Sequence, residues 1–370
     1  MPEIGNAWRQ FAPSPLALKP GKEWNVFLSY RSVNRPWVIN LYDVLRTFGH
    51  TVFLDQVAMA AGDRLTKSLE RALEKSQAGV LVWSSAAADS DWVHDEYAVM
   101  KAQADEGDFH FVPVRLDATK LPSFAATRIF LDFSQYPDGP NGGELLRLLH
   151  AVVGKPLSED AARFASQQDE VAARDTARVK AAVKNGAAAE IQRLFDDGGD
   201  PWHTSAALGC LAAEGLTKLK EYDRALSMLQ ALEDRFPRAI RPKQLRALAL
   251  ARRAQANDLE QAQAILGELY ELKQRDPETL GIYGRTWMDR YNQSKNMLHL
   301  RMSREMYAEA FEGAQDDYYT GINAAAKSIL LSTPADVAKG RSLRSGSGRL
   351  SAMRRCGATT GRRPLLARCS

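Results

Sequence analysis

The chain has 370 residues, 45% hydrophobic and 25% charged, ordinary proportions for globular domains, and its length points to about two of them. The net charge of +4 is concentrated in residues 341–370, which hold eight Arg and no Asp, Glu or Lys. The remainder therefore carries −4, which argues against a broad nucleic-acid or anionic-membrane face.

Three cysteines, Cys210, Cys356 and Cys369, give neither a disulfide framework nor a paired metal-ligand spacing. Residues 1–22 are Pro-rich and lack the basic start and apolar core of a secretory signal, so a loose leader is expected. No apolar run reaches the roughly 18 residues that a membrane helix needs, and the expectation is a cytoplasmic protein.

From residue 23 to 156, short apolar runs alternate with helical patterns. Asn25–Ser29 reads as a buried strand. Arg35–Phe48 follows as a helix with Trp37, Leu41, Val44, Leu45 and Phe48 on one face, stopped by Gly49. Thr51–Leu54 is a second strand, Asp55–Gly62 a loop, and Asp63–Ser76 a helix with Leu65, Leu69, Ala72 and Leu73 on one side. Gly79–Trp83 is a third strand, Ser90–Asp105 a helix, His110–Arg115 and Arg128–Phe133 two more strands, and Gly143–Val153 a closing helix. Strands that are apolar throughout and alternate with helices predict an α/β fold, a five-stranded parallel sheet covered on both faces. Such sheets bind ligands beyond the carboxyl ends of their strands, where Ser29-Tyr30-Arg31, Asp55 and Ser84-Ser85 fall.

Past Lys155-Pro156 the composition turns to Ala, Asp, Arg and Gln. A linker helix over 157–186, exposed to solvent, is expected, then an all-α region over 187–335. Ala225, Leu229 and Leu232 recur at helical spacing before Phe236-Pro237. Leu259, Ala262, Leu266, Leu269 and Tyr270 recur likewise before Asp276-Pro277. The two prolines lie 40 residues apart, longer than the roughly 34 of a tetratricopeptide repeat. Residues 336–370 abandon the pattern and read as a disordered basic tail, in keeping with a frame-shifted end.

Four motifs in order, VFLSYR at 26–31, VFLD at 52–55 with a loop ending AAG at 60–62, GVLVWS at 79–84 and DWVHDE at 91–96, resemble the TIR (Toll/interleukin-1 receptor) domain, a flavodoxin-like fold. The segment 219–237 resembles a tetratricopeptide-type helix. DPETLGIYGRTWMDR (276–290) with DDYYTGINAAA (316–326) resembles the TRAFs-binding region of apoptosis-signal kinases, also found fused to bacterial TIR domains. A helical unit of this kind implies contact with a protein or ligand trigger.

Many TIR domains cleave NAD+, and the resemblance places their catalytic carboxylate at Glu96, four residues after Trp92 and on the same helix face. The chemistry is coherent. Nicotinamide leaves a pyridinium as a neutral group, so the oxocarbenium-like ribose is what needs stabilising, as in glycoside hydrolysis. The ordinary alternatives are a solvated helix-face carboxylate for Glu96 and a core residue for Trp92.

Tyr30 and Arg31 lie where TIR enzymes contact the nucleotide, and Arg31 could meet a phosphate in bidentate fashion or form a surface ion pair. Asp55 could take a hydroxyl or simply make a turn, and Ser84 closes the third strand. Arg64, in the Asp63-Arg64-Leu65 run after Gly62, completes the expected binding set. Many catalytic TIR enzymes carry an aromatic or aliphatic residue just after that glycine; here Asp63-Arg64-Leu65 follows, a departure that leaves the ring-stacking contact open. His94 reads as a surface residue.

Gly62–Ser68 lacks the second glycine of a phosphate loop, the six His form no HExxH pair, and no G-x-S-x-G elbow is present. No Gly-rich fingerprint follows Asn25–Ser29, so NAD+ would be a substrate, with no cofactor and no metal. The resemblance implies an NAD+ glycohydrolase with a linear or cyclic ADP-ribose product. It also implies self-association through the TIR domain, regulation by the helical region and an immune or anti-phage role. The rival is a non-enzymatic TIR adaptor with a helical scaffold.

Overall fold

The structure is a computed structural model and describes residues 5–55, 65–107, 109–314 and 317–331, without the side chains of residues 65–67, Trp92 and Phe124. These residues divide into two compact units. The first runs to Gln274; the second begins at Arg275 and takes in Asp117–Lys120.

The first unit opens with helix α1 (Asn6–Phe11) and a five-stranded sheet: β1 (Trp24–Ser29), β2 (Val52–Phe53), β3 (Ser76–Trp83), β4 (His110–Arg115) and β5 (Leu131–Asp132). The strand order is β2-β1-β3-β4-β5, and every neighbouring pair is parallel. That order puts the topological switch point between β1 and β3, where chains leave in opposite directions and open a crevice at the carboxyl ends.

Between the strands lie α2 (Arg35–Thr47), α3 (Leu65–Glu74), α4 (Ser85–Ala88), α5 (Asp91–Asp105) and α6 (Ser123–Ala126), with α7 (Gly143–Ala151) closing the domain. The expected strand over 128–133 is trimmed to two residues at the sheet edge, and β3 starts three residues earlier than its apolar run, because Ser76 and Gln77 are buried as well.

Alternation along β1 decides which layer each residue meets. Val26 and Leu28 join the core beneath α2 and α7, with Trp37, Leu41, Leu45, Leu145 and Leu149. Phe27 faces the opposite core, with Leu81, Val93 and Met100 beneath α5. Ser29, two residues on from Phe27, emerges on the α5 side; Tyr30 packs against the α2 side. Helix α2 ends as its Gly49 foresees. Gly49 has φ +88, its N–H reaches the Arg46 carbonyl at 3.0 Å, and the His50 N–H reaches that of Leu45 at 3.1 Å.

The helices continue with α8 (Glu159–Lys184), α9 (Ala188–Asp196), α10 (Asp200–Thr204), α11 (Ala207–Lys218), α12 (Tyr222–Arg235), α13 (Ile240–Arg253) and α14 (Asp258–Glu271). The helix expected as an exposed linker is instead packed. Ala161, Phe164, Ala165, Ala172, Val179 and Ala182 are buried, a stripe at helical spacing among the surface charges. Phe164 and Ala165 join the α2/α7 core, and Val179 and Ala182 the helical one.

The second unit holds α15 (Pro277–Ser294), α16 (Met297–Gly313) and α17 (Tyr318–Leu331). Asp276 caps α15 by accepting the Thr279 N–H at 3.1 Å, and Tyr307, Ala308 and Ala324 form a core. A Cβ at Gly284 would come within 2.8 Å of the Tyr307 ring, and the Ser303 hydroxyl donates to the Gly284 carbonyl at 2.6 Å, so α15 and α16 lie in close backbone contact. No helix among the described residues is long and apolar enough to cross a membrane.

Candidate functional site

Helix α5 begins at Asp91, with Ser90 as its N-cap accepting the Val93 N–H at 3.4 Å. Val93, in the first turn of the helix, and Met100, two turns further on, are fully buried against the sheet. Glu96 lies three residues after Val93, on the flank of that buried stripe, and is half-buried. From the other side comes Ser29, fully buried at the end of β1, whose hydroxyl donates to Glu96 Oε2 at 2.5 Å. A short hydrogen bond to a charged acceptor inside the fold fixes the carboxylate's direction. Trp92 occupies the first turn of α5, one helical turn before Glu96.

The next residue of β1 serves the other layer. The Tyr30 hydroxyl donates to Asp55 Oδ1 at 2.6 Å and accepts from Arg35 Nε at 3.2 Å. The Arg35 guanidinium also stands 3.8 Å from Asp55 Oδ2 and 5.8 Å from the Tyr30 ring centre. Burial, then the Asp55 charge, pushes the Tyr30 phenol well above its ordinary range, with Arg35 opposing, so the phenol stays protonated and donates. Glu96 with Ser29, and Tyr30 with Asp55 and Arg35, thus flank consecutive residues at the carboxyl end of β1. That is the edge where a flavodoxin-type sheet takes its ligand.

Other expected residues fall differently. Ser84 is buried, and its hydroxyl donates to Asn34 Oδ1 at 2.8 Å while accepting the Ala87 N–H at 3.3 Å. It caps α4 and tethers the 3-10 turn Ser32–Asn34, so its hydroxyl is engaged within the fold. Arg31 sits half-buried at the start of that turn in an extended conformation, its carbonyl accepting the Asn34 N–H at 2.8 Å. Arg64 lies outside the described residues, as does the Trp92 side chain. His94 is exposed, its Nε2 3.0 Å from the Ala88 carbonyl and its ring edge-on to Trp83.

Two contacts escaped sequence reading: Ser29 is placed at the ligand edge, but nothing in the sequence pairs it with Glu96, and Arg35 reads only as the start of a helix. A cation in the first turn of a helix that is otherwise buried to Leu45 was the available signal. No group of His, Cys, Asp and Glu among the described residues could hold a metal. A cleft of about 410 Å³ lies between α8 and the α9–α10 turn, but its Arg174, Arg178 and Arg193 are paired with Asp175 and Glu190, which makes it a solvated groove of ion pairs.

Residues 26–149 match the family model described as TIR domain, and residues 221–331 match that described as Tetratricopeptide Repeats-Sensor. The chain joins a TIR domain to a tetratricopeptide-type sensor domain. The sensor match covers the 276–290 stretch that resembles a TRAFs-binding region, so the repeat-sensor family is the one found there.

Among solved structures, the chain is similar to the TIR domain of the Toll-related receptor TRR-2 from Hydra magnipapillata. The two share 19% identity over 30% of this chain and 86% of that one, with a TM-score of 0.28. It is also similar to MamA 41-end from Desulfovibrio magneticus RS-1, at 12% identity over 50% and 97%, TM-score 0.35. A MamA RS-1 double mutant compares at 12% over 50% and 96%, TM-score 0.36. No curated protein matches the chain at a significant level.

Proposed function

We propose that this TIR domain cleaves NAD+ at the bond between nicotinamide and ribose, with Glu96 as the catalytic residue. The observation that carries the reading is the Ser29–Glu96 hydrogen bond at the β1/β3 switch point. A carboxylate on a solvated helix face would have no fixed direction; this one is aimed by a buried hydroxyl. As the C1′–N bond breaks, its electron pair passes to the nicotinamide ring and neutralises the pyridinium. Positive charge then develops on the ribose, and a preorganised carboxylate lowers that barrier most effectively. Water adds at C1′ and loses a proton, giving ADP-ribose; attack by a base nitrogen of the same molecule would give the cyclic product instead.

In this reading Tyr30 and Asp55 hold ribose hydroxyls, Arg31 meets a phosphate, and Arg64 and Trp92 complete the binding set. NAD+ is substrate, the catalytic assembly forms by association of TIR domains, and the sensor domain couples a trigger to it. The output, NAD+ depletion or an ADP-ribose signal, suits an immune or anti-phage role in the cytoplasm. Incubating the full chain at high concentration with NAD+ and separating the products tests the reading. Equal amounts of nicotinamide and an ADP-ribose species are expected, and product mass tells linear from cyclic. Silence under conditions that drive self-association would favour the adaptor.

A further inference from the structure

Arg35 has a third partner besides Tyr30 and Asp55. Its Nη1 donates to the backbone carbonyl of Lys273 at 3.0 Å, 238 residues along the chain. Lys273 ends α14 in the left-handed conformation, φ +61, with its N–H on the Tyr270 carbonyl and the Gln274 N–H on that of Leu269. This is the cap that glycine usually makes, here built on a lysine, and it turns the Lys273 carbonyl out of the helix. Leu269, four residues before Lys273, is buried in the same core as Trp37 and Leu41 of α2. The cap of α14 and the first turn of α2 are therefore held together by packing as well as by the hydrogen bond. Gln274, the next residue, closes the first unit.

A guanidinium has N–H groups on three nitrogens in one rigid plane, so fixing one edge fixes the others. With Nη1 anchored on Lys273, Nε is presented to Tyr30 and Nη2 to Asp55. We infer that Arg35 is a positioning residue of the nucleotide site, and that the C-terminal cap of α14 sets the affinity of the site by holding Arg35 in place. The inference rests on the reading of this edge as an NAD+ site. It adds that the binding arm, Tyr30 with Asp55, is answerable to the end of α14 while Glu96 and Ser29 are not.

Kinetics and amide exchange on the full chain separate the parts. Arg35→Lys offers a single nitrogen where three spread in a plane reach Tyr30, Lys273 and Asp55, and Lys273→Pro cannot adopt positive φ. Each is expected to raise KM for NAD+ by roughly tenfold and leave kcat within about twofold, the size of one lost charge-assisted hydrogen bond. The double variant should be no worse than Arg35→Lys alone, since both act through one contact. Lys273→Gly, which keeps the left-handed cap, should match the wild type.

In parallel, amide exchange in residues 29–35 should quicken in Lys273→Pro, whether or not NAD+ is turned over. Unchanged exchange there would overturn the inference, as would KM effects that multiply in the double variant. Absence of turnover in every form, with the exchange change intact, would instead remove the NAD+ reading and leave the Arg35 coupling standing.

Discussion

Ser29 spends its hydroxyl on Glu96, and the geometry follows from two periodicities. Period two along β1 sends Ser29 to the α5 layer, and period 3.6 along α5 sets Glu96 beside the buried stripe of Val93 and Met100. A hydrogen bond to a charged group is worth about 1.5–3 kcal/mol, so Ser29→Ala should slow turnover by roughly 10- to 100-fold. Because the half-buried Glu96 can turn to water once the hydroxyl is gone, stability should change less than turnover, by under about 1 kcal/mol. Steady-state kinetics beside urea denaturation measures both. An equal loss in stability would make Ser29 a residue of the fold alone. The expectation at Glu96 came from its place in the DWVHDE motif; Ser29 could be placed at the end of its strand, but a small polar residue in a buried strand carries no sign of its partner.

At the scale of elements, α5 can sit where it does because Gly79 lies beneath it in β3. A Cβ at residue 79 would come within 2.5 Å of Met100 Sδ and 2.6 Å of the Phe109 ring. Gly79→Ala should therefore overpack the α5 layer and cost about 1–3 kcal/mol in denaturant unfolding. Turnover should fall with it, since the displaced helix carries Glu96.

The strand–helix alternation was readable because parallel strands are apolar on both faces and the helices are not. The edges of the sheet were less so. Near β5 the apolar run of Arg128–Phe133 has Ile129 and Phe130 exposed, so burial stops where hydrophobicity does not. Helix α8 was misjudged for the opposite reason. Its stripe is made mostly of alanines, too small to stand out among charges, yet small enough to pack closely beside α7.

Within the first unit, the TIR domain and the helices that follow are joined by ion pairs, one set of them buried. Arg241 of α13, its side chain 10% exposed, reaches Asp138 at 3.1 Å and Glu214 of α11 at 3.5 Å, and Arg238 reaches Asp43 of α2 at 2.9 Å. Burial pushes the Asp43 carboxyl up despite that arginine. Removing one member of a buried set leaves the others uncompensated. Arg241→Ala should thus cost about 3–5 kcal/mol, read as a drop in denaturation midpoint, whereas a surface pair such as Arg163 with Asp160 should cost under about 1 kcal/mol. None of these long-range pairs was visible in sequence, since each links residues tens to hundreds of positions apart.

The measurement that bears most directly on the account is nicotinamide release by the full chain and by Glu96→Gln, at equal concentration and under conditions that favour self-association. The substitution keeps the size of the side chain and an acceptor for Ser29 while removing the charge. The account predicts release by the wild type and a fall of at least about a hundredfold in the variant, the scale of losing a preorganised electrostatic group. Release that continues unchanged in Glu96→Gln would contradict it.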